Sequence, residues 1–386
     1  MNEQIITSIL DTDLYKLTMQ QVVFHQYPTA KVAYEFRCRN KDIKLGYLVD
    51  KIGGEICDWD LMSLTTNEFY YLRDKIPFLS PDYLDYLSKF RFNPNYVSVL
   101  DINGDLVIKI NGPWVDTILF EVPLLATINE LHFRHTSDFK SIQGRGIANL
   151  KDKMNLLKNH PRIVISEFGT RRRYSKGWQK YVLGELVKFC PQVMGTSNVG
   201  LAMDFGIKAV GTMAHEYISA HLALVDNVRQ AQKRALHVWQ QEYDDNLGIA
   251  LTDTFTTKAF FTDFDKTLTK SFAGLRHDSG DPIKFGLNAI EHYKKMGVDP
   301  RTKMLVFSDG LDIPTSIQIF ETFTGLIGVS FGIGTNLTND LGINALNIVI
   351  KLVECNGKPV VKLSDNEGKH IGDKDVIEKV KEAYGL

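Results

Sequence analysis

The sequence predicts an α/β protein with an N-terminal α+β domain (residues 1–125), a β/α barrel (126–345) and a C-terminal hairpin and helix (346–386). Three observations carry this. At 386 residues the chain exceeds the usual size of one hydrophobic core, so two domains are expected, although an α/β barrel can absorb much of that length alone. The first hundred residues mix alternating, strand-like runs with aromatic-rich helical ones. After Pro161 short apolar runs recur, and most end in a small-residue or charged cluster before a helix-like segment.

In chain order, residues 11–27 place Leu14, Leu17, Val22 and Phe24 close to helical spacing, with Asp11 or Asp13 as N-cap. Tyr15 lies in the first turn, where an aromatic is either packing or a ligand contact. Residues 31–39 alternate as a strand does, and 98–110 do so again around the turn Asn103-Gly104. Residues 67–92 and 120–135 read as helical. The apolar runs that follow are 163–168, 193–194, 209–210, 248–251, 272–275, 304–307 and 329–331. In a β/α barrel every cluster after such a run falls at a strand's carboxyl end, so all face one mouth. An open doubly wound sheet is the alternative, and it would focus ligands at one switch point. Residues 347–354 and 358–364 form a hairpin about Asn356-Gly357, a dipeptide suited to a type I′ turn, and a helix over 373–383 closes the chain. The hairpin is free to return to the first domain, since seven barrel units already precede it.

Composition narrows the function. With 44% hydrophobic and 24% charged residues the chain is neither disordered nor fibrous. A formal net charge of −1 argues against a general nucleic-acid binder, so an anionic ligand must be held locally. Cys38, Cys57, Cys190 and Cys355 form no C-x-x-C pair, which suggests reduced thiols rather than a zinc or redox motif. Met1 to Leu10 has no basic head followed by an apolar run, and no window approaches a membrane span. A soluble cytoplasmic protein is expected.

The chemistry sits in the clusters. Arg276, Asp278 and Asp281 share one glycine-flanked turn: a guanidinium forks onto a carboxylate or phosphate, and aspartates suit ribose hydroxyls or a magnesium shell. For Asp281, which precedes Pro282, the better reading is a helix cap. Gly332, Gly334 and Thr335 lack the third glycine of a dinucleotide fingerprint and the lysine of a P-loop, but can cradle a phosphate at a barrel's last loop. Arg171, Arg172 and Arg173 are either a solvated face or an anion contact, and Phe168 can offer a planar ligand an apolar face. His215 has a reference pKa of roughly 6.5, so it is mostly neutral and can act as a base or accept a phosphoryl group. Glu216 or Asp253 can orient its ring. No metal-ligand pair is evident, since His221 is six residues on and there is no H-E-x-x-H.

Six stretches together resemble the nicotinate phosphoribosyltransferase family: Asp11 to Lys16, Phe168 to Arg172, Gly211 to Glu216, Leu275 to Pro282, Phe307 to Asp312 and Phe331 to Thr335. The match covers nearly the whole chain. The resemblance implies an ATP-dependent enzyme of the ligase class, active in NAD biosynthesis. It would join nicotinate to phosphoribosyl pyrophosphate, with release of pyrophosphate and ATP hydrolysis coupled through a phosphorylated histidine, matched here by His215. It further implies that Tyr15 and Phe168 sandwich the pyridine, that Thr212 and Arg276 hold its carboxylate region, and that Arg171 meets phosphate. Asp278 and Asp309 would serve the ribose and magnesium end, with Gly310, Gly332, Gly334 and Thr335 around the 5-phosphate. The resemblance implies an N-terminal α/β domain and an irregular β/α barrel, and a dimer in which the tyrosine reaches the neighbour's site, so a homodimer is expected.

The sister enzyme that uses nicotinamide carries an aspartate after the Gly-Thr of the second barrel loop, where this chain has Ser197. An aspartate would repel a carboxylate substrate and a serine would not, which favours nicotinate. Quinolinate would demand more cations. A catalytically silent phosphosugar-binding barrel is the reading of another class, and it would tolerate loss of His215, Arg276 or Asp278, all of which are present.

Overall fold

The computed structural model describes residues 4–366, 370 and 372–386; of the N-terminal stretch inspected for a leader, residues 1–3 lie outside the described residues. Two sheets organise the chain. The strands of the first are β1 (Lys31–Cys38), β2 (Val97–Ile102), β3 (Asp105–Pro113), β11 (Ile348–Cys355) and β12 (Lys358–Pro359), in the order β12-β11-β1-β3-β2. The second contains β4 (Ile165–Glu167), β5 (Val193–Thr196), β6 (Lys208–Ala209), β7 (Ile249–Leu251), β8 (Gly274–His277), β9 (Met304–Phe307) and β10 (Gly328–Ile333), in the order β6-β5-β4-β10-β9-β8-β7.

Each of the seven expected runs supplies one strand of this parallel sheet. The sheet does not close on itself, because β6 and β7 are its two edges. β6 is only two residues long, and the helices His215–Leu224 and Ala231–Tyr243 intervene before β7. Close ladder contact explains two glycines: a Cβ at Gly195 would lie 2.1 Å from the Lys208 carbonyl oxygen, and one at Gly274 2.1 Å from that of Met304. No side chain fits either approach.

The chain divides into two compact units, 1–29 with 33–211 and 333–351, and 30–32 with 212–332 and 352–386. In the first, the helix Leu14–Gln26 is buried on every side from Leu14 to Val23, so its apolar spacing is blurred by buried polar residues that all require partners. Gln20, for instance, donates to the Val115 carbonyl at 2.7 Å and accepts from the Tyr83 hydroxyl at 2.7 Å. Trp59, Phe92 and Phe120 form an aromatic core beside it, with ring centroids 4.9 to 6.2 Å apart. In the second, Phe307 packs between Phe323 and Phe331, and Tyr217 against Trp239.

The hairpin turns where expected, but its second strand is Lys358–Pro359 instead of the expected 358–364. Glu354 pairs with Pro359 and Cys355 with Lys358, while Asn356 and Gly357 take φ of 50° and 74°, as a type I′ turn requires. Its first strand lies beside β1, so the hairpin does return to the N-terminal sheet. The closing helix, Lys374–Tyr384, is part of the second unit: its Tyr384 hydroxyl donates to the Val228 carbonyl and its ring carries the Arg229 guanidinium. Among the described residues no helix is long and apolar enough to cross a membrane.

Candidate active site

Register decides which side chains of the second unit meet. β7, β8 and β9 run parallel with Leu251 opposite Arg276 and His277 opposite Phe307, so the loops after them leave the same edge of the sheet. His215 opens its helix at the first position, two residues after Met213. The buried Asp253 accepts from His215 Nε2 at 2.7 Å through Oδ1. Its Oδ2 accepts from Ser279 Oγ at 2.6 Å and pairs with Lys362 Nζ at 3.1 Å. Asp278 Oδ2 lies 3.6 Å from His215 Nε2, and its Oδ1 accepts from Ser308 Oγ at 2.7 Å. Arg276 donates from Nη1 to the Met213 carbonyl at 2.9 Å, which ties the β8 loop to the segment leading into His215. Of the two carboxylates that sequence leaves open as partners, Asp253 bonds the ring; Glu216 follows it, half-buried, in the first helical turn.

The charges follow from burial and neighbours. Burial pushes His215 down to about 4, Lys362 adds to that, and Asp253 only partly opposes it. Burial would raise Asp253, but His215 and Lys362 together hold it well below the usual carboxylate range. Burial likewise opposes ionisation of Asp278, and Arg276 and His215 outweigh it. At neutral pH the site is a neutral imidazole among ionised carboxylates. With Nε2–H given to Asp253, the lone pair sits on Nδ1, which is the arrangement of a nucleophile or acceptor.

His215, Asp253 and Asp278 place ligand atoms within 4.8 Å of one another, a spacing compatible with a metal. Magnesium prefers oxygen and keeps several waters, and Asp253 already takes three donors. Asp278 is therefore the member of the three that fits a hydrated magnesium, with Asp309 half-buried in the adjacent β9 loop.

The first unit holds a second polar cluster. The arginine triplet splits three ways. Arg173, fully buried, forks onto Asp11 at 2.7 and 2.9 Å. Arg172 donates from Nε to the Ile348 carbonyl at 3.1 Å. Arg171, 44% exposed, lies 3.4 Å from Glu121, 3.9 Å from Asp13 and over the Tyr15 ring. Glu121 also pairs with the buried Lys16 at 2.6 Å. Asp13 occupies the N-cap position, yet its carboxylate accepts from Ser197 Oγ at 2.7 Å instead of from the helix. Ser197 in turn accepts the Leu14 N–H at 2.8 Å, so the β5 loop closes the helix start in Asp13's place. Phe168 is half-buried and donates its N–H to the Ile333 carbonyl at 2.8 Å; a Cβ at Gly334 would sit 3.0 Å from the Phe168 oxygen.

The remaining expected residues fall on strand ends. Thr212 is buried just before Met213, Asp309-Gly310 turn with Gly310 at φ 61°, Gly332 is buried in β10, and Thr335 opens the short helix Thr335–Thr338. Asp281 caps its helix, accepting the Lys284 N–H at 2.7 Å. Sequence reasoning passed over Lys362, Ser279, Ser308 and Glu167. Glu167, the last residue of β4, is fully buried and accepts from Thr196 Oγ1 at 2.6 Å, Gln179 Nε2 at 3.1 Å and the Gly169 N–H. Burial outweighs those bonds and raises its pKa. A glutamate on an apolar run was its one available signal.

A parallel sheet with a neutral histidine among ionised carboxylates on the loops after its strands defines an α/β protein of the class that keeps its chemistry at strand ends. Comparison with known proteins narrows the class. Residues 163–386 match the nicotinate phosphoribosyltransferase (NAPRTase) family and residues 10–129 match the NAPRTase N-terminal domain. Nicotinate phosphoribosyltransferase of Burkholderia mallei is 46% identical over 99% of this chain and 97% of its own length, and that of Cupriavidus necator 48% over 96% and 95%. Among solved structures, nicotinate phosphoribosyltransferase from Porphyromonas gingivalis superposes with a TM-score of 0.94 at 38% identity, covering 99% of this chain and 100% of that one. That from Vibrio cholerae gives 0.94 at 37%, covering 100% and 95%. The chain belongs to the nicotinate phosphoribosyltransferase family.

Proposed function

We propose that this chain makes nicotinate mononucleotide and pyrophosphate from nicotinate and phosphoribosyl pyrophosphate, with ATP hydrolysis coupled through phosphorylation of His215. Family membership supports the transfer reaction. The observation that carries the histidine role is the 2.7 Å contact of His215 Nε2 with buried Asp253, backed by Lys362 and Asp278. In this reading the Nδ1 lone pair attacks the γ-phosphorus of ATP, the bond to the bridging oxygen breaks, and ADP leaves with the electron pair. The ring gains positive charge, and Asp253 is in place to stabilise it; water then attacks the phosphorus, the N–P bond breaks with its electrons returning to Nδ1, and phosphate leaves a neutral imidazole behind.

In the transfer step the pyridine nitrogen bonds to the ribose C1, the C1–oxygen bond breaks, and pyrophosphate leaves with its electrons; the ring becomes a pyridinium and no proton moves. Such chemistry needs alignment and neutralised charge more than covalent help. Tyr15 and Phe168 would hold the pyridine faces and Thr212, Ser197 and Arg276 its carboxylate side. Arg171 would meet phosphate, and Gly310, Gly332, Gly334 and Thr335 the 5-phosphate. Magnesium, held by Asp278 and Asp309, would neutralise the leaving pyrophosphate. A cytoplasmic homodimer in which Tyr15 serves the neighbouring site completes the reading.

The test is pyrophosphate release with magnesium and phosphoribosyl pyrophosphate, comparing nicotinate with nicotinamide, each with and without ATP. Nicotinate-dependent, ATP-stimulated release is expected. A preference for nicotinamide would overturn the substrate, and phosphosugar binding without release would favour the silent barrel. His215→Ala should abolish phosphoenzyme and ATP stimulation while slow transfer persists; phosphoenzyme in that variant would refute the histidine assignment.

A further inference from the structure

The segment 360–365, just past the hairpin, carries more bonds to the His215 cluster than a connecting stretch needs. The Val361 carbonyl accepts from Ser219 Oγ at 3.0 Å, on the helix that His215 opens. The Leu363 N–H donates to the Thr254 carbonyl at 2.8 Å, next to Asp253. The Asp365 N–H donates to Ser279 Oγ at 3.2 Å, and the Asp365 carboxylate accepts the Thr257 N–H at 2.7 Å. Between these anchors Lys362 reaches Asp253 at 3.1 Å with its side chain only 14% exposed.

Backbone strain marks both sides of this fastening. Ser364 and Thr256 hold φ of 70° and 80°, conformations unfavourable for a non-glycine residue that persist only when surroundings over-determine them. The turn at Ser364 lies between Lys362, aimed at Asp253, and Asp365, whose N–H reaches Ser279. The turn at Thr256 delivers Thr257 to the Asp365 carboxylate.

We propose that this strap is a working part of the phosphoryl-accepting site: Lys362 and Ser279 are positioning residues that pin Asp253, and through it fix His215 with its proton on Nε2 and its lone pair on Nδ1. The inference rests on the proposed phosphorylation of His215. A carboxylate held by the imidazole alone can rotate and let the ring take its other tautomer. Here Oδ2 is held by a hydroxyl and an ammonium, so Oδ1 stays turned to Nε2. The hydroxyl is itself aimed, because accepting the Asp365 N–H leaves its single proton for Asp253.

The experiment uses the full chain as Lys362→Met, Ser279→Ala and Lys362→Arg. Long-range nitrogen–proton NMR of the imidazoles, with His215 assigned through His215→Gln, reads the tautomer. Phosphoenzyme formation from ATP labelled at the γ-phosphate reads the function. The wild type should show His215 protonated on Nε2. Lys362→Met and Ser279→Ala should show mixed tautomers and form phosphoenzyme about tenfold to a hundredfold more slowly, and Lys362→Arg should recover most of the rate. Ser279→Ala removes one atom and decides the matter if Lys362→Met fails to fold. Wild-type tautomer and rate in both deletions would overturn the proposal. Absence of phosphoenzyme in the wild type would instead sink the proposed function, while the tautomer reading would still decide the positioning role.

Discussion

Each unit buries an aspartate against a cation near the ends of its parallel strands, and the two arrangements end differently. In the first, Asp11 takes both arms of the fully buried Arg173, the Asn198 amide at 2.9 Å and Lys176 at 3.4 Å. Burial would raise Asp11, but Arg173 and Lys176 drive it far below the usual range. In the second, Asp253 is just as buried, but its histidine partner is 13% exposed and keeps a second ring nitrogen, with Asp278 close by. Burial alone therefore does not separate a closed counter-ion pair from one with chemistry left to offer. What separates them is whether a nucleophilic lone pair remains after the bonds are made.

The largest expected effect breaks the closed arrangement. Arg173→Ala leaves Asp11 buried without its bidentate partner, and should cost about 3–5 kcal/mol in urea unfolding. A loss under about 1 kcal/mol would mean that this network is not what holds the first unit's loops together.

The second prediction concerns pH. His221 is fully buried in the helix behind His215, its Nδ1 2.8 Å from the Tyr217 carbonyl, and burial drives its pKa down to about 4. An unfolded histidine takes its proton near pH 6.5. Between those values the unfolded chain binds the extra proton, so stability falls as pH drops from about 6.5 to about 4, by about 3 kcal/mol for this one residue at the limit. His221→Gln, whose amide can still donate to Tyr217, should flatten the fall in melting temperature between pH 7 and pH 5. An unchanged slope would show that other groups carry the acid sensitivity.

The same contrast explains what sequence made legible. All seven strands of the parallel sheet could be read, because each apolar run stops at a cluster of glycine or charge, and register then brings those clusters to one edge. Its failure to close could not, since nothing in Lys208-Ala209 distinguishes a two-residue edge strand from an interior one. His215 stood out through its motif, but the choice of Asp253 over Glu216 needed the fold, because a helix start aims neighbouring side chains in different directions. Lys362 stayed hidden: it lies in Val360 to Leu363, which reads as the second strand of a hairpin, while the ladder there ends at Pro359 and frees the chain to fold over the site. The three arginines looked alike for the same reason, since an arginine's role depends on which carboxylate the fold brings to it.

That last case yields the smallest effect on stability and the finest comparison. Arg171 sits two residues from Arg173, yet its side chain is 44% exposed and its nearest carboxylate, Glu121, already has Lys16 at 2.6 Å. Arg171→Ala should therefore change stability by no more than about 1 kcal/mol, as for an exposed ion pair. If Arg171 is the member of the triplet that meets phosphate, the same variant should weaken phosphoribosyl pyrophosphate binding at least several-fold by calorimetry, since a charge-assisted contact is lost. Stability lost with binding intact would move Arg171 into the closed network beside Arg173. Binding lost with stability intact would set a phosphate ligand and a structural counter-ion two residues apart in one short 3₁₀ turn and its cap.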